Sequence, residues 1–205
     1  MTRFDLQVSR RALASAMALT ALLFSASCGK SMMQQGNGSS YLIVDLLQAA
    51  PGAKTAVFSS ALSSDVVTNV PSGPTGVPTH FDDMGQVTLR MALKDTVSGL
   101  TPTDTNAITI TSYHVDFEPA TVGAAVPSSF DGALTGTITA TGATLSFVLV
   151  HAQAKILPPL SELANTSSSI MTAAHVIFYG HDQAGHAVSV TASISVVFAD
   201  WADPS

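Results

Sequence analysis

The chain has 205 residues, of which 46% are hydrophobic, 11% charged and 6% aromatic, which excludes collagen, a coiled coil and a charge-rich disordered tail. Its net charge of −6 argues against nucleic-acid binding, which needs a basic face to displace counterions. One cysteine leaves no intrachain disulfide framework.

Residues 1–11 carry Arg3, Arg10 and Arg11 against a single acid, Asp5, and residues 12–24 form an uncharged run of 13. A membrane-crossing helix needs about 20 apolar residues, so this run is too short. Small residues Ser25, Ala26 and Ser27 follow at once, completing the three-part pattern of a secretory signal peptide. Next comes Cys28. The stretch Phe24-Ser25-Ala26-Ser27-Cys28-Gly29 resembles the lipobox of bacterial lipoproteins, although Ser25 stands where that family prefers Leu, Val or Ile. The resemblance implies that Cys28 receives a diacylglycerol and becomes the mature N-terminus, tying the protein to a membrane of the bacterial cell envelope. In an organism with two membranes this is the outer membrane or the cell surface. The alternative is an ordinary signal peptide cut near residue 28, leaving a free thiol. Ser9-Arg10-Arg11 also resembles a twin-arginine export signal.

Without residues 1–27, five basic side chains face thirteen acidic ones, a net charge of −8 that suits a domain held by lipid rather than by anionic headgroups. Residues 29–40 (GKSMMQQGNGSS) read as a flexible tether with an end-to-end distance of about 20 Å.

From Tyr41 onward the dominant hydrophobic period is two, the signature of strands. Tyr41 to Leu47 is nearly continuous in apolar residues and reads as a strand covered on both faces. The Pro/Gly-rich stretch 71–78 looks like a linker. Residues 41–70 are too few to bury a core of their own, so it is read as a long loop within one domain. Val87, Leu89, Met91 and Leu93 alternate cleanly. Ile108 and Ile110 lie on one parity and Tyr113, Val115 and Phe117 on the other, which predicts a β-bulge near Thr111-Ser112. Leu134 and Ile138 mark a weaker strand that is expected to pair with 144–151 (inward Leu145, Phe147, Leu149) across Thr141-Gly142-Ala143. Residues 158–164, opened by prolines, form the one expected helical piece. The last strand is the clearest, with Val188, Val190, Ala192, Ile194, Val196 and Phe198 on one face.

Residues 175–190 (HVIFYGHDQAGHAVSV) resemble the final hairpin of bacterial immunoglobulin-like repeats, which run through an Asp-x-x-Gly-Asn turn; here His186 replaces the Asn. Asp182 and Gly185 are its turn formers, one bonding backbone amides and the other accepting positive φ. The expected fold is therefore all-β. It comprises one immunoglobulin-like β-sandwich of about seven to nine antiparallel strands over 41–205. A signal peptide (1–27) and a lipidated tether (28–40) precede it. The whole chain also resembles uncharacterised bacterial envelope lipoproteins, a class that implies no activity.

The usual hydrolase, nucleotide and metal motifs are absent, so no enzyme, catalytic residue or cofactor is expected. His114, Asp116 and Glu118 stand at spacing two on one strand face. Neighbours on such a face lie about 6.5–7 Å apart, too far for one ion to span all three. His181, Asp182 and His186 flank one turn, and Asp82-Asp83 invites a calcium reading; turn and surface polarity explain both sets. Trp201, the only tryptophan, follows the last strand and reads either as a lid on the core or as a ligand-stacking ring. A sugar platform would want more exposed rings than Trp201, Tyr41, Tyr113 and Tyr179 supply. The functional expectation is a non-catalytic envelope lipoprotein with a structural or binding role, its partners being the membrane and an envelope protein or glycan. Small-ligand or glycan binding through loops at the sandwich end is one alternative, and a metal-dependent hydrolase or redox accessory the other.

Overall fold

The computed structural model describes residues 38–54, 57–72, 76–95, 99 and 101–201. The signal peptide, Cys28 and the tether as far as residue 37 lie outside them. Ten strands are described: β1 (Ser40–Ala50), β2 (Ala61–Asp65), β3 (Thr68–Val70), β4 (Val77–Thr79), β5 (Asp83–Leu93), β6 (Ile108–Pro119), β7 (Phe130–Ile138), β8 (Ala143–Val150), β9 (Ser169–Asp182) and β10 (Ala187–Ala199). Among the described residues, helical structure is limited to one turn of α-helix, α1 (Ala152–Lys155), and 3₁₀ turns at Gly52–Lys54, Asp104–Asn106 and Leu160–Leu163. Among the described residues, no helix is long and apolar enough to cross a membrane.

The fold is all-β. One sheet has the order β1-β5-β8, a second curls into a half-barrel in the order β2-β10-β9-β6-β7, and β3-β4 form a small hairpin. Every pairing is antiparallel except β2 with β10. That parallel pair and the β3-β4 hairpin take the described strands past the seven to nine antiparallel ones expected.

Period-two patterning becomes burial wherever the register is regular. Val87, Leu89 and Met91 of β5 and Ile194, Val196 and Phe198 of β10 all turn into the core. There the Tyr113 and Phe147 rings lie 5.0 Å apart, Phe147 and Phe178 5.3 Å, and Phe117 and Phe198 5.8 Å. Each fully buried ring of this size stabilises the fold by about 1.5–3 kcal/mol. Gly85 on β5 is what admits Phe147, because a Cβ there would overlap the ring.

The phase change in β6 is a bulge: the register against both β7 and β9 slips between Ile110 and Ser112. The extra residue returns Tyr113, Val115 and Phe117 to the face that Ile108 and Ile110 occupy, and all five are buried.

Three expectations are corrected. β1 is not covered on both faces; its apolar run records a second bulge, between Val44 and Leu46, which leaves Asp45 and Leu46 exposed and returns Leu47 and Ala49 inward. Asp45 takes a 2.8 Å bond from Arg90 of the paired strand. Strands β7 and β8 do not form a hairpin. β7 pairs with β6 and β8 with β5, so the turn through Gly142 (φ +85°) carries the chain from one sheet to the other. A turn signal fixes a reversal of direction but not the sheet in which the next strand finds its partner. The tether is shorter than expected, since Ser40 is buried as the first residue of β1 and Lys94 N–H donates to Ser39 O at 2.8 Å.

The pairings give the domain two poles. At one, Gly38 packs beside Asp182 and His186 of the β9–β10 turn. At the other meet the end of β1, the start of β5, the ends of β2, β8 and β10, and α1.

Candidate functional site: a pocket beside Trp201

The histidines on which a metal reading rests do not converge. On the outer face of the half-barrel, His114 Nδ1 lies 2.8 Å from Asp131 Oδ1. Asp116 is exposed and pairs in register with His175. Glu118 Oε2 lies 2.9 Å from His175 Nε2, and His175 Nδ1 lies 2.7 Å from Ser193 Oγ. This Ser193–His175–Glu118 row runs across three strands and can pass a proton from the hydroxyl toward the carboxylate. It stands on an open face, however, with Glu118 71% exposed, where water competes for each bond. At the β9–β10 turn, Asp182 accepts the Ala184 and His186 amides at 3.0 and 2.8 Å and the His186 ring at 2.9 Å. His181 instead faces the Asp182 carbonyl at 3.1 Å. Gly185 has φ +85°, as the turn reading requires. Burial alone would push the Asp182 carboxyl up, but the bonds from His186 and Ala184 outweigh it and hold the carboxyl below its ordinary value. Among the described residues, no three His, Cys, Asp or Glu side chains are placed to hold a metal ion.

Trp201 lies at the pole where the last strand ends. Phe117 and Phe198 fill the core at this pole, while Trp201 is 41% exposed and lies against β2. Its backbone N–H donates to Asp65 Oδ1 at 3.1 Å and its indole N–H to the Ser64 carbonyl at 3.2 Å. The ring is thus gripped along its edge. It lines a half-open cavity of about 150 Å³ together with Pro51 and Ala53, and Lys54, Ser63, Asp65 and Thr68 supply polar groups. The Thr68 hydroxyl donates to Asp65 Oδ2 at 2.8 Å, so a single carboxylate organises both the ring and the pocket's back wall. Tyr41 and Tyr179 stand on strand segments toward the Gly38 pole and Tyr113 is buried in the core, so none of the three tyrosines joins Trp201.

The alternation of β2 divides its labour. Ser63 and Asp65 face the pocket, and Ser64 between them points inward and is fully buried. Ser64 Oγ donates to Asp83 Oδ2 at 2.6 Å. Asp83 Oδ1 accepts the Gly52 amide at 2.8 Å and the Lys155 ammonium at 2.9 Å. Asp83 and Lys155 are 0% and 1% exposed. Burial pushes the Asp83 carboxyl above its ordinary value, opposed by Lys155, Ser64 and Gly52. This interior pair pins together the Pro51–Lys54 wall, the β2 floor and α1, so the pocket rests on a fixed support.

The turn polarity expected of Asp82-Asp83 is therefore corrected at Asp83, which is fully buried, and the calcium alternative gains no carboxylate pair. Asp83 is committed to Lys155, and Asp82 turns away to accept the Ala152 amide at the start of α1 (2.6 Å). Nothing in the sequence marked Lys155, a lone lysine in a short apolar stretch, 72 positions from its partner. Comparison with protein families, with curated proteins and with solved structures finds no match to this chain.

Proposed function

We propose that this chain is an exported, non-catalytic lipoprotein of a bacterial cell envelope, anchored through Cys28, whose single immunoglobulin-like β-sandwich binds a small ligand in the Trp201 pocket. Strand order supports the immunoglobulin-like reading. Such domains put strands A, B, E and D in one sheet and G, F and C, joined by C′ in the variable type, in the other. Here β1, β5 and β8 share one sheet, and β7, β6, β9 and β10 run side by side in the other, with the β9–β10 hairpin in the place of F and G.

The observation that carries the binding role is the pocket itself, at the pole opposite the β9–β10 turn. A cavity held by a buried network and walled by a half-exposed tryptophan fits binding better than scaffolding. The test of the anchor is Cys28→Ser. The wild type should partition with membranes and carry acyl chains by intact mass and palmitate labelling, and the variant should lose both. An unacylated wild-type protein overturns the anchor.

A further inference from the structure

From the geometry of the Trp201 pocket we infer its ligand class, an inference that rests on the binding role proposed above: the pocket takes one neutral pyranose ring, the terminal residue of a glycan or the free sugar. Three observations lead there. The Trp201 ring is held through its indole N–H and its backbone N–H and lines the cavity, half-exposed. A pyranose has a flat C–H face that packs on an aromatic ring and a rim of hydroxyls that wants polar partners, and few other small molecules divide their surface this way. Asp65 accepts one bond on each carboxylate oxygen, and a carboxylate has about four acceptor sites, so half remain for sugar hydroxyls. Lys54 and Ser63 bring an exposed ammonium and an exposed hydroxyl to the same cavity.

Charge and size narrow the class further. One cation, Lys54, and one anion, Asp65, line the pocket, so its charges balance and neither an anionic nor a cationic ligand is favoured overall. A purely apolar ligand would strip water from both without replacing their bonds. A volume near 150 Å³ is below the usual range for drug-sized ligands and holds a single ring. The half-open mouth lets the rest of a glycan chain continue into solvent. This differs from a flat sugar platform, which needs several rings in a row. One ring over one cavity reads a chain end.

Trp201 is the only tryptophan, so tryptophan emission, excited to the red of tyrosine absorption, reports on this pocket. The full-length protein is titrated with glucose, galactose, mannose and N-acetylglucosamine, with cellotriose and chitotriose as chain arms. Sorbitol serves as a ringless polyol, and L-proline and glycine betaine as zwitterions. The expected result is a saturable change in Trp201 emission with at least one pyranose and none with sorbitol. Ser63→Ala and Lys54→Ala should each weaken that binding by about two- to tenfold, the worth of one rim hydrogen bond, while leaving the thermal midpoint in place. Tighter binding of a trimer than of its monomer identifies a glycan end as the ligand, and equal binding identifies the free sugar. A response to proline or betaine but to no pyranose overturns the sugar assignment and leaves the pocket's binding role standing. No response to any probe overturns both, and sugar binding unaffected by either rim variant places the site elsewhere and overturns this one.

Discussion

Lys155→Met tests the buried network on which the pocket rests. Methionine keeps most of the volume and removes the ammonium, leaving the Asp83 carboxylate fully buried with only the Gly52 amide and the Ser64 hydroxyl as partners. Breaking a buried pair from one side costs about 3–5 kcal/mol, against a total stability of about 5–15 kcal/mol for a domain. For a domain of this size each kcal/mol moves the midpoint by about 2–4 °C, so the expected loss is about 6–20 °C. The loss should depend on pH, and its sign follows from the direction of the Asp83 shift. Burial already holds that carboxyl above its ordinary value, and without Lys155 it rises further. A carboxyl raised in the folded state binds more protons there than in the unfolded chain. Stability then falls as pH climbs from the unfolded pKa near 3.9 to the folded one. The deficit of Lys155→Met against wild type should therefore be larger at pH 7 than at pH 5. Urea unfolding followed by circular dichroism at both pH values measures it. Asp83→Leu should cost more than Lys155→Met, because it strands three donors at once, and the double variant should recover part of the loss. A deficit below about 1 kcal/mol at pH 7, or one that does not shrink at pH 5, refutes the account of this pair.

Ile194→Asp places a carboxylate among core residues and should abolish the cooperative transition, whereas Ser193→Asp on the exposed face should shift it only slightly; equal damage from both would contradict the register of β10. A methyl group at residue 180 would overlap the Thr109 carbonyl of the neighbouring strand, so Gly180→Ala should destabilise far more than Gly185→Ala. The latter meets open space and carries only the positive-φ strain of about 1–2 kcal/mol; thermal midpoints of the two variants decide this. Asp182 has a lowered folded pKa, so its contribution is complete above the unfolded value near 3.9 and fades as pH falls below it. Asp182→Asn should accordingly flatten the acid limb of the stability profile below about pH 4, as read by thermal melts across that range. EDTA should leave the thermal midpoint unchanged within about a degree or two, and a drop restored by zinc or calcium would give the histidines a metal role.

Period two was enough to place most strands and their inward faces, because a strand's side chains alternate whatever it pairs with. The phase slip in β6 and the Asp182–Gly185 turn were legible for the same reason: a bulge and a tight turn are set by a few neighbouring residues. β1 shows where local reading fails. A bulge at Asp45 and a strand covered on both faces leave the same apolar run in the sequence, and only the pairing with β5 tells them apart. Pairing itself was beyond reach for β7 and β8, since a turn between strands is compatible with one sheet or two. The pocket was less legible still. Trp201 could be singled out as the only tryptophan, but Asp65, which holds it, lies 136 positions away, and Lys155 and Asp83 are 72 apart. Those contacts form only when both sheets have closed and brought the end of β2, the start of β5 and α1 to one pole. Local sequence fixes which face of a strand is apolar; packing free energy summed over the whole core decides which distant polar groups are shut in together.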